Sequence, residues 1–282
     1  MTALETVLAG LFDYAGLYPP ASLDMQTAVR NYLRYMEGTQ RGALGRFVVH
    51  MDRIGEVRSA TGHSFPDMKL SVLVAADADV SALADFLGNR DHVVIECKVN
   101  QPSDVERITG RIRAGTECYF EIPMVIDEGL LDAIKARGAR VKLRMGGVAA
   151  EAFPSANAIA VMLKALADRH LAFKATAGLH HPIRSRHAFT YEPDSSSGTM
   201  HGFMNLALAA TLLHFDGTTG EALQTLEEED PDAWKVGPEG IGCGAFRWSA
   251  DQLRAVRQEF FISIGTCSFE EPIRDLELMG WL

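Results

Sequence analysis

The feature that most constrains the fold is a regular alternation of short apolar runs and helix-like stretches between residues 40 and 180. The apolar runs are rich in β-branched and aromatic residues, which is typical of strands. They occupy residues 46–51, 69–75, 93–99, 118–122, 140–145 and 171–177. Amphipathic stretches lie between several of them, at residues 80–87, 103–112, 128–137 and 155–169. This order predicts parallel strands joined by right-handed helical crossovers.

Two weaker segments bring the strand count to the eight that a closed barrel requires. Residues 10–16, followed by a helix over 23–36, supply a first strand, and residues 260–267, preceded by a helix over 250–259, supply a last one. We therefore predict an α/β fold of the (β/α)8 TIM-barrel class as a single domain over residues 1–282. An open, doubly wound sheet is the alternative.

One region interrupts the alternation. After a predicted helix over residues 202–215, residues 216–249 contain an acidic stretch and a glycine-rich stretch. We interpret this region as an insertion before the last strand. Residues 195–198 (SSSG) are expected to form a flexible loop, with a lid over the site as one interpretation.

Composition limits the partners and the compartment. The 282 residues carry a formal net charge of −10 and no dense Lys/Arg run, which excludes an ordinary nucleic-acid-binding surface. Since neither a signal peptide nor an apolar run of membrane-spanning length is evident, we expect a cytoplasmic protein with no membrane contact. Whether it forms a homo-oligomer stays open. The cysteines lack CxxC spacing and are expected to be buried free thiols: Cys97, Cys118, Cys243 and Cys267.

Polar side chains recur with a period of two on four consecutive predicted strands. Alternate residues of a strand face the same side, so these pairs share the barrel interior: Glu96 with Lys98, Tyr119 with Glu121, Lys142 with Arg144, and Lys174 with Thr176. The residues between them are expected to pack outward against helices: Ile95, Cys97, Phe120, Ile122, Leu143, Phe173 and Ala175. Charged side chains are rarely buried unless they are paired. Because barrel enzymes place catalytic groups on their strands, a set of charged side chains in the predicted interior indicates an active site. A structural ion-pair ladder is the alternative.

Two lysines on adjacent strands, Lys142 and Lys174, have a specific chemical use. A lysine attacks a carbonyl carbon only as the free amine, and a second nearby cation lowers its pKa and favours that form. The product is an imine, which accepts electrons when a neighbouring C–C bond breaks. Glu96 or Glu121 could then transfer protons, provided that burial raises the carboxyl pKa.

The segment VKLRMGGVAAEAFPSANAIAVMLKALADRHLAFKATAGLHHPIR, which carries both lysines, resembles strands 6 and 7 of the deoxyribose-phosphate aldolase family. That family consists of class I (Schiff-base) aldolases with a (β/α)8 barrel. The resemblance implies that Lys142, which precedes Gly146-Gly147, forms the imine. It implies that Lys174, in the motif KATAG, lies beside it and tunes it.

Two further segments are similar to this family more loosely. LFDYAGL, with Asp13, resembles its first strand, and IGTCS, with Gly265 and Ser268, resembles its closing phosphate loop. The resemblance implies substrate contacts for Asp13, Gly265 and Ser268. The chain departs from the family after both lysines: Leu143-Arg144-Met145 replaces a Thr/Ser-rich turn, and Leu179-His180-His181-Pro182 replaces a Gly-rich one.

The histidine pair His180-His181 follows the seventh predicted strand, at the expected mouth of the barrel. Histidine titrates near neutral pH, so His180 is a candidate acid or base and His181 a candidate substrate contact. A divalent metal held with Glu96, Glu121 or His201 is a second interpretation, and an ordinary loop is a third. The spacing matches no established metal motif.

Three functions remain open. The first is a lyase that forms an imine between Lys142 and a small, possibly anionic, carbonyl substrate, with no cofactor. Its catalytic residues would be Lys142, Lys174, Glu96, Glu121 and His180, and its substrate contacts Lys98, Arg144, Thr176, His181, Asp13, Gly265 and Ser268. The second is a metal-dependent hydrolase or isomerase that uses the histidines. The third is a non-catalytic barrel that binds a small anion.

Overall fold

Parallel strands close into an eight-stranded barrel in the computed structural model, which describes residues 1–78 and 92–282. In chain order the barrel strands are β1 (Phe12–Tyr14), β2 (Leu44–His50), β3 (Leu70–Val74), β4 (Val93–Lys98), β5 (Cys118–Glu121), β6 (Arg140–Arg144), β7 (Phe173–Thr176) and β13 (Phe261–Thr266). Each pairs in parallel with its neighbours, and β13 closes the ring between β7 and β1.

Helices follow the barrel strands around the outside. Their bounds are α1 (Ala3–Leu8), α2 (Met25–Glu37), α3 (Ile54–Thr61), α4 (Pro102–Thr109), α5 (Glu128–Ala136), α6 (Ala156–Asp168), α7 (Phe203–His214), α8 (Thr219–Glu227), α9 (Ala250–Glu259) and α10 (Glu270–Leu278). Serines accept the first free backbone N–H groups at the starts of α6 and α9, as helix caps do. In the described part of the chain, no helix has the length and apolarity needed to cross a membrane.

The (β/α)8 class predicted from the alternation is confirmed, and the open sheet is excluded by the closure of β13 on β1. Each predicted barrel strand matches an observed one within about two residues at either end. The helix predicted over residues 80–87 lies outside the described residues. Helix α3 was not predicted, because only Ile54, Val57 and Thr61 of its eight residues are buried and they give a weak apolar stripe.

Two antiparallel units lie outside the barrel sheet. β8 (Ser185–Ala188) pairs with β9 (Ser197–Met200), so the flexible loop expected at residues 195–198 is wrong in its second half. Gly198 is required there, since a Cβ would lie 2.4 Å from Cζ of Phe189. Within residues 216–249, α8 is followed by a three-stranded sheet of β10 (Trp234–Val236), β11 (Gly240–Cys243) and β12 (Phe246–Ser249).

The apolar residues between the polar ones on β4 to β7 are buried and form part of the core, as the period-two pattern predicts. On β7, for example, Phe173 packs against the rings of Phe260 and Phe261. The prediction of buried free cysteines is also confirmed for all four. The barrel strands therefore use one face for apolar packing and are free to place polar groups on the other.

The side chain of Arg257 on α9 hydrogen-bonds to backbone carbonyls near the N-terminal ends of β1 and β13. Its guanidinium donates to the carbonyl oxygens of Val7 (2.8 Å) and Ala9 (3.0 Å), and also to those of Phe261 and Ile262. These carbonyls belong to α1, to the segment that follows it, and to β13. One side chain therefore connects the first and last parts of the barrel.

We expect Arg257→Leu to lower the free energy of unfolding by about 2–4 kcal/mol, because several carbonyl oxygens, most of them partly buried, lose a charged donor. Urea denaturation at pH 7 measures this change. The control is Arg254→Gln on the exposed face of the same helix, with an expected change within about 0.5 kcal/mol. Equal stabilities for the two variants would show that Arg257 does not hold the chain ends together.

Candidate active site

Glu96 lies at the centre of a buried ion-pair cluster inside the barrel. It extends from β4, and its two carboxylate oxygens contact different lysines, one on β6 and one on β7. Oε1 lies 2.5 Å from Nζ of Lys174, and Oε2 lies 2.7 Å from Nζ of Lys142. Ser71 on the neighbouring strand β3 donates a short hydrogen bond to Oε1. One carboxylate thus lies between the two lysine amines.

The cluster continues past Lys174 to β1. Nζ of Lys174 also contacts Oδ2 of Asp13 at 2.5 Å, and Ser263 donates to the same oxygen at 2.8 Å. The other oxygen of Asp13 accepts the backbone N–H of Arg46 at 2.7 Å. Gly45 makes this approach feasible, since a Cβ there would lie 2.4 Å from Oδ1. Asp13 therefore lies deep in the cluster, below the level at which a substrate would enter.

On the other side the cluster continues past Lys142 to the barrel mouth. Nζ of Lys142 lies 2.9 Å from Oε2 of Glu121, and Nε of Arg144 lies 3.1 Å from Oε1 of the same carboxylate. Acidic and basic groups therefore alternate from Asp13 to Arg144, three of each sign. Such pairing is what burial of charges requires.

The inward placement predicted from the period of two is confirmed for Glu96, Glu121, Lys142 and Lys174, all of which are buried. Lys98 differs: it ends β4 as an exposed residue, and it is not among the described residues that line the cavity at the mouth. Its position at the strand end leaves its side chain in solvent.

The ion pairs control the pKa values in the cluster. Burial alone would lower the pKa of Lys174, but Asp13 and Glu96 outweigh it and hold that pKa above its usual value. Burial opposes ionisation of Glu96 and Glu121, yet the neighbouring cations hold both carboxyl pKa values below their usual range. The raised glutamate pKa expected from sequence is therefore wrong for Glu96 and Glu121.

The two lysines differ in access. The side chain of Lys142 is 8% exposed and lines the cavity at the C-terminal end of the strands, whereas that of Lys174 is 1% exposed and lies below it, against the ring of Tyr119. A molecule in the cavity would meet the amine of Lys142 first.

This cavity, which we call the mouth cavity, has a volume of about 300 Å³. It is lined by Tyr18, Lys142, Arg144, Thr176, His180 and Gly265, together with apolar residues of β2 and β3. Burial and the nearby Glu96 carboxylate raise the pKa of Tyr18 to about 12, so its hydroxyl stays protonated at neutral pH. The mouth cavity thus offers an amine, a guanidinium, an imidazole and two hydroxyl groups to a small molecule.

Each histidine of the pair is held by an acidic residue of α10. Nδ1 of His180 lies 2.8 Å from Glu271, and Nδ1 of His181 lies 2.6 Å from Asp275. The His181 ring stacks on His187 of β8 at a centroid distance of 3.3 Å, and burial beside His181 lowers the pKa of His187 to about 4. Of these three histidines, only His180 lines the mouth cavity. His180 and His181 both line a smaller space next to Ala188 of β8 and Met200 of β9.

The metal grouping considered from sequence is not formed by these contacts. The ring of His201 contacts the carbonyl of Pro154 (2.8 Å) and Arg184. Within residues 1–78 and 92–282, no three His, Cys, Asp or Glu side chains are grouped as metal ligands.

Two residues of the predicted phosphate loop are placed differently from each other. Gly265 lines the mouth cavity, whereas Ser268 lines a neighbouring one. The hydroxyl of Ser268 accepts the backbone N–H of Glu271 at 3.1 Å, so this helix-start donor is already occupied. The acidic first turn of α10, Glu270 and Glu271, also opposes an anion there.

Several residues of the site were missed from sequence. Ser71 and Ser263 are hydroxyl groups within largely apolar strands, and their inward positions could have been found from the same period of two. Glu271 and Asp275 are spaced by four on α10, which places them on one helix face. Their contact with the histidines depends on how the last helix lies against the loop after β7, and a single sequence does not carry that information.

No family model and no curated protein matches the chain. Among solved structures, FabK from Thermotoga maritima is 15% identical, with 64% of this chain and 56% of that one aligned and a TM-score of 0.37. A mutant of the same FabK is 12% identical over 100% of this chain and 99% of that one, with a TM-score of 0.41. Active domain 2 of a Pyrococcus furiosus chitinase is 11% identical over 62% and 77%, with a TM-score of 0.37. The fold assignment rests on the closed barrel of this chain itself.

The carboxylates of the cluster predict that the free energy of unfolding decreases in acid. Since the pKa values of Glu96 and Glu121 are lowered on folding, their stabilisation is present above the unfolded value near 4.5 and is lost as pH falls below it. The lowered pKa of His187 adds a loss of stability that begins below the unfolded histidine value near 6.5. We therefore expect the free energy of unfolding, measured by urea denaturation, to decline from about pH 6.5 and to fall more steeply below about pH 4.5.

We expect Glu96→Gln to be about 3–5 kcal/mol less stable at pH 7, because it leaves two buried ammonium groups without their shared anion. Its stability should also decline less steeply in acid. Glu277→Gln on the exposed surface of α10 is the control, with both properties unchanged. A Glu96→Gln protein as stable as the wild type would show that the two lysines do not depend on this carboxylate.

Proposed function

We propose that this protein is an enzyme of the imine-forming lyase class, which uses Lys142 to cleave or form a C–C bond next to a carbonyl group. The observation that carries the proposal is the position of the Lys142 amine. It contacts two carboxylates, Glu96 and Glu121, and it lines the mouth cavity at the end of the barrel where TIM-barrel active sites lie. A lysine with only a structural role would not need to reach a cavity.

Imine formation uses the two carboxylates as proton carriers. The Lys142 ammonium passes one proton to Glu121 or Glu96, and the free amine attacks the carbonyl carbon, forming a C–N bond. The carboxyl group returns its proton to the former carbonyl oxygen, and the carboxylate then carries a second proton from the attached nitrogen to the same oxygen, which leaves as water. The nitrogen lone pair completes the C=N bond, so that a protonated iminium and an ionised carboxylate remain.

Loss of the ammonium proton is the uphill part of this sequence, because both carboxyl pKa values are lowered by their cationic neighbours. Lys174 and Arg144 each hold one of these carboxylates from the other side. The cluster therefore fixes the position of the Lys142 amine. It also keeps two acceptors within hydrogen-bond distance of the amine.

C–C cleavage then requires a base for a hydroxyl group on the second carbon from the iminium carbon. We assign this role to His180, which lines the same cavity and whose Nδ1 is fixed by Glu271. As the base removes the hydroxyl proton, the C–C bond breaks and its electron pair moves to the iminium nitrogen. An aldehyde leaves, and the remaining enamine is protonated at carbon and hydrolysed by water.

The aldolase resemblance of the two-lysine segment supports the same assignment. It implies that the strand-6 lysine forms the imine and the strand-7 lysine tunes it. Lys142 and Lys174 are direct neighbours in the register of β6 and β7. Here the tuning is through Glu96, since both amines contact that carboxylate.

Borohydride trapping tests the proposal. Incubation with excess pyruvate and sodium borohydride should add one reduced adduct per chain, and peptide mass spectrometry should locate it at Lys142. Lys142→Arg keeps the positive charge that Glu96 and Glu121 need, and it should lose the adduct.

Lys135→Arg on the exposed face of α5 is the matched control and should keep the adduct at Lys142. Adduct formation spread over surface lysines, or equal labelling of the Lys142→Arg protein, would contradict the proposal. Circular dichroism on both variants shows whether the barrel is intact.

A further inference from the structure

The charged groups that line the mouth cavity all have one sign. Among the described residues that line it, those that carry a positive charge are Lys142, Arg144 and, when protonated, His180, and none is Asp or Glu. The chain as a whole has a net charge of −10. The acidic groups of the cluster lie behind these cations, so the surface that a ligand meets is cationic within an anionic protein.

Arg144 is the group best placed to bind an anion. Its side chain is 53% exposed at the end of β6, and only its Nε contacts a carboxylate, that of Glu121 at 3.1 Å. Within residues 1–78 and 92–282, its terminal nitrogens have no ion pair or hydrogen bond. A guanidinium held in this way presents free N–H groups that match the two oxygens of a carboxylate.

The distance between Arg144 and the Lys142 amine limits how far apart the anionic group and the carbonyl group of a ligand can be. Nζ of Lys142 and Nε of Arg144 contact the two oxygens of one Glu121 carboxylate, so they lie close together at the cavity surface. A molecule with its carbonyl carbon at Lys142 and its anion at Arg144 therefore needs those groups within a few bonds of each other. Thr176, the register partner of Arg144, adds a hydroxyl group beside this position.

We propose that the substrates of this site are short oxo acids, in which a carboxylate one or two carbons from the carbonyl group is bound by Arg144 while Lys142 forms the imine. This assignment rests on the proposed function, because it names the substrate class of the same site. Arg144 is a specificity-determining residue in this scheme, and it contacts the substrate without taking part in bond making.

The test compares two probes of similar size, pyruvate and the neutral hydroxyacetone, in borohydride trapping at Lys142. The quantity measured is the probe concentration that gives half-maximal adduct, in the wild type and in Arg144→Gln. Because each probe is compared with itself in the two proteins, the difference in intrinsic reactivity between pyruvate and hydroxyacetone cancels. Arg144→Gln changes an exposed residue at a strand end, and Arg247→Gln on β12, outside the cavity lining, is the control.

We expect Arg144→Gln to raise the half-maximal concentration about 10- to 100-fold for pyruvate and less than about 3-fold for hydroxyacetone, as loss of a charge-assisted hydrogen bond predicts. Arg247→Gln should change neither. Equal changes for both probes would overturn the proposal that Arg144 reads a carboxylate. Glycolaldehyde phosphate trapped with a larger Arg144 effect than pyruvate would overturn it in favour of a phosphate ester.

These outcomes are distinct from failure of the proposed function. If hydroxyacetone and pyruvate both label Lys142 without dependence on Arg144, imine formation stands and the oxo acid assignment is wrong. If neither probe labels Lys142 in the wild type, the imine-forming function is wrong and the substrate assignment fails with it.

Discussion

The Glu96 carboxylate, shared by Lys142 and Lys174, is the interaction on which the interior of this barrel depends. Two ammonium groups on adjacent strands repel each other, and each costs several kcal/mol to remove from water. Glu96 on β4 offsets both effects, and Asp13 and Glu121 complete the pairing at the two ends. The interior is thus filled by alternating charges where many barrels use apolar layers.

The groups at the deep end of this cluster hold Glu96 in place, whereas those at its upper end face the cavity in which a substrate would react. Its deep end, where Asp13 contacts Lys174, is held by Ser263 and by a backbone N–H, and it has almost no exposure. Its upper end, Lys142 with Arg144, opens to the mouth cavity. The deep pairs fix Glu96, and Glu96 in turn positions the amine that a ligand can reach.

Much of this arrangement could be predicted from sequence, because both signals are local and periodic. Strand–helix alternation gave the barrel, and the period of two placed Glu96, Glu121, Lys142 and Lys174 in its interior. The pKa directions were wrong, since they depend on which charges meet across the barrel, between strands far apart in the chain. Contacts of the last helix, such as Glu271 with His180, are equally non-local. Lys98 fits the period of two, but it is the last residue of β4 and its side chain is exposed.

A crystal structure of the protein after borohydride reduction with pyruvate tests the central claim most directly, because it shows which amine the carbonyl carbon reached. The account predicts continuous electron density from Nζ of Lys142 to the ligand, with Glu96 still in contact with Lys174 and the ligand carboxylate at Arg144. Density joined to Lys174, or an unmodified cluster with the ligand bound elsewhere, would contradict it.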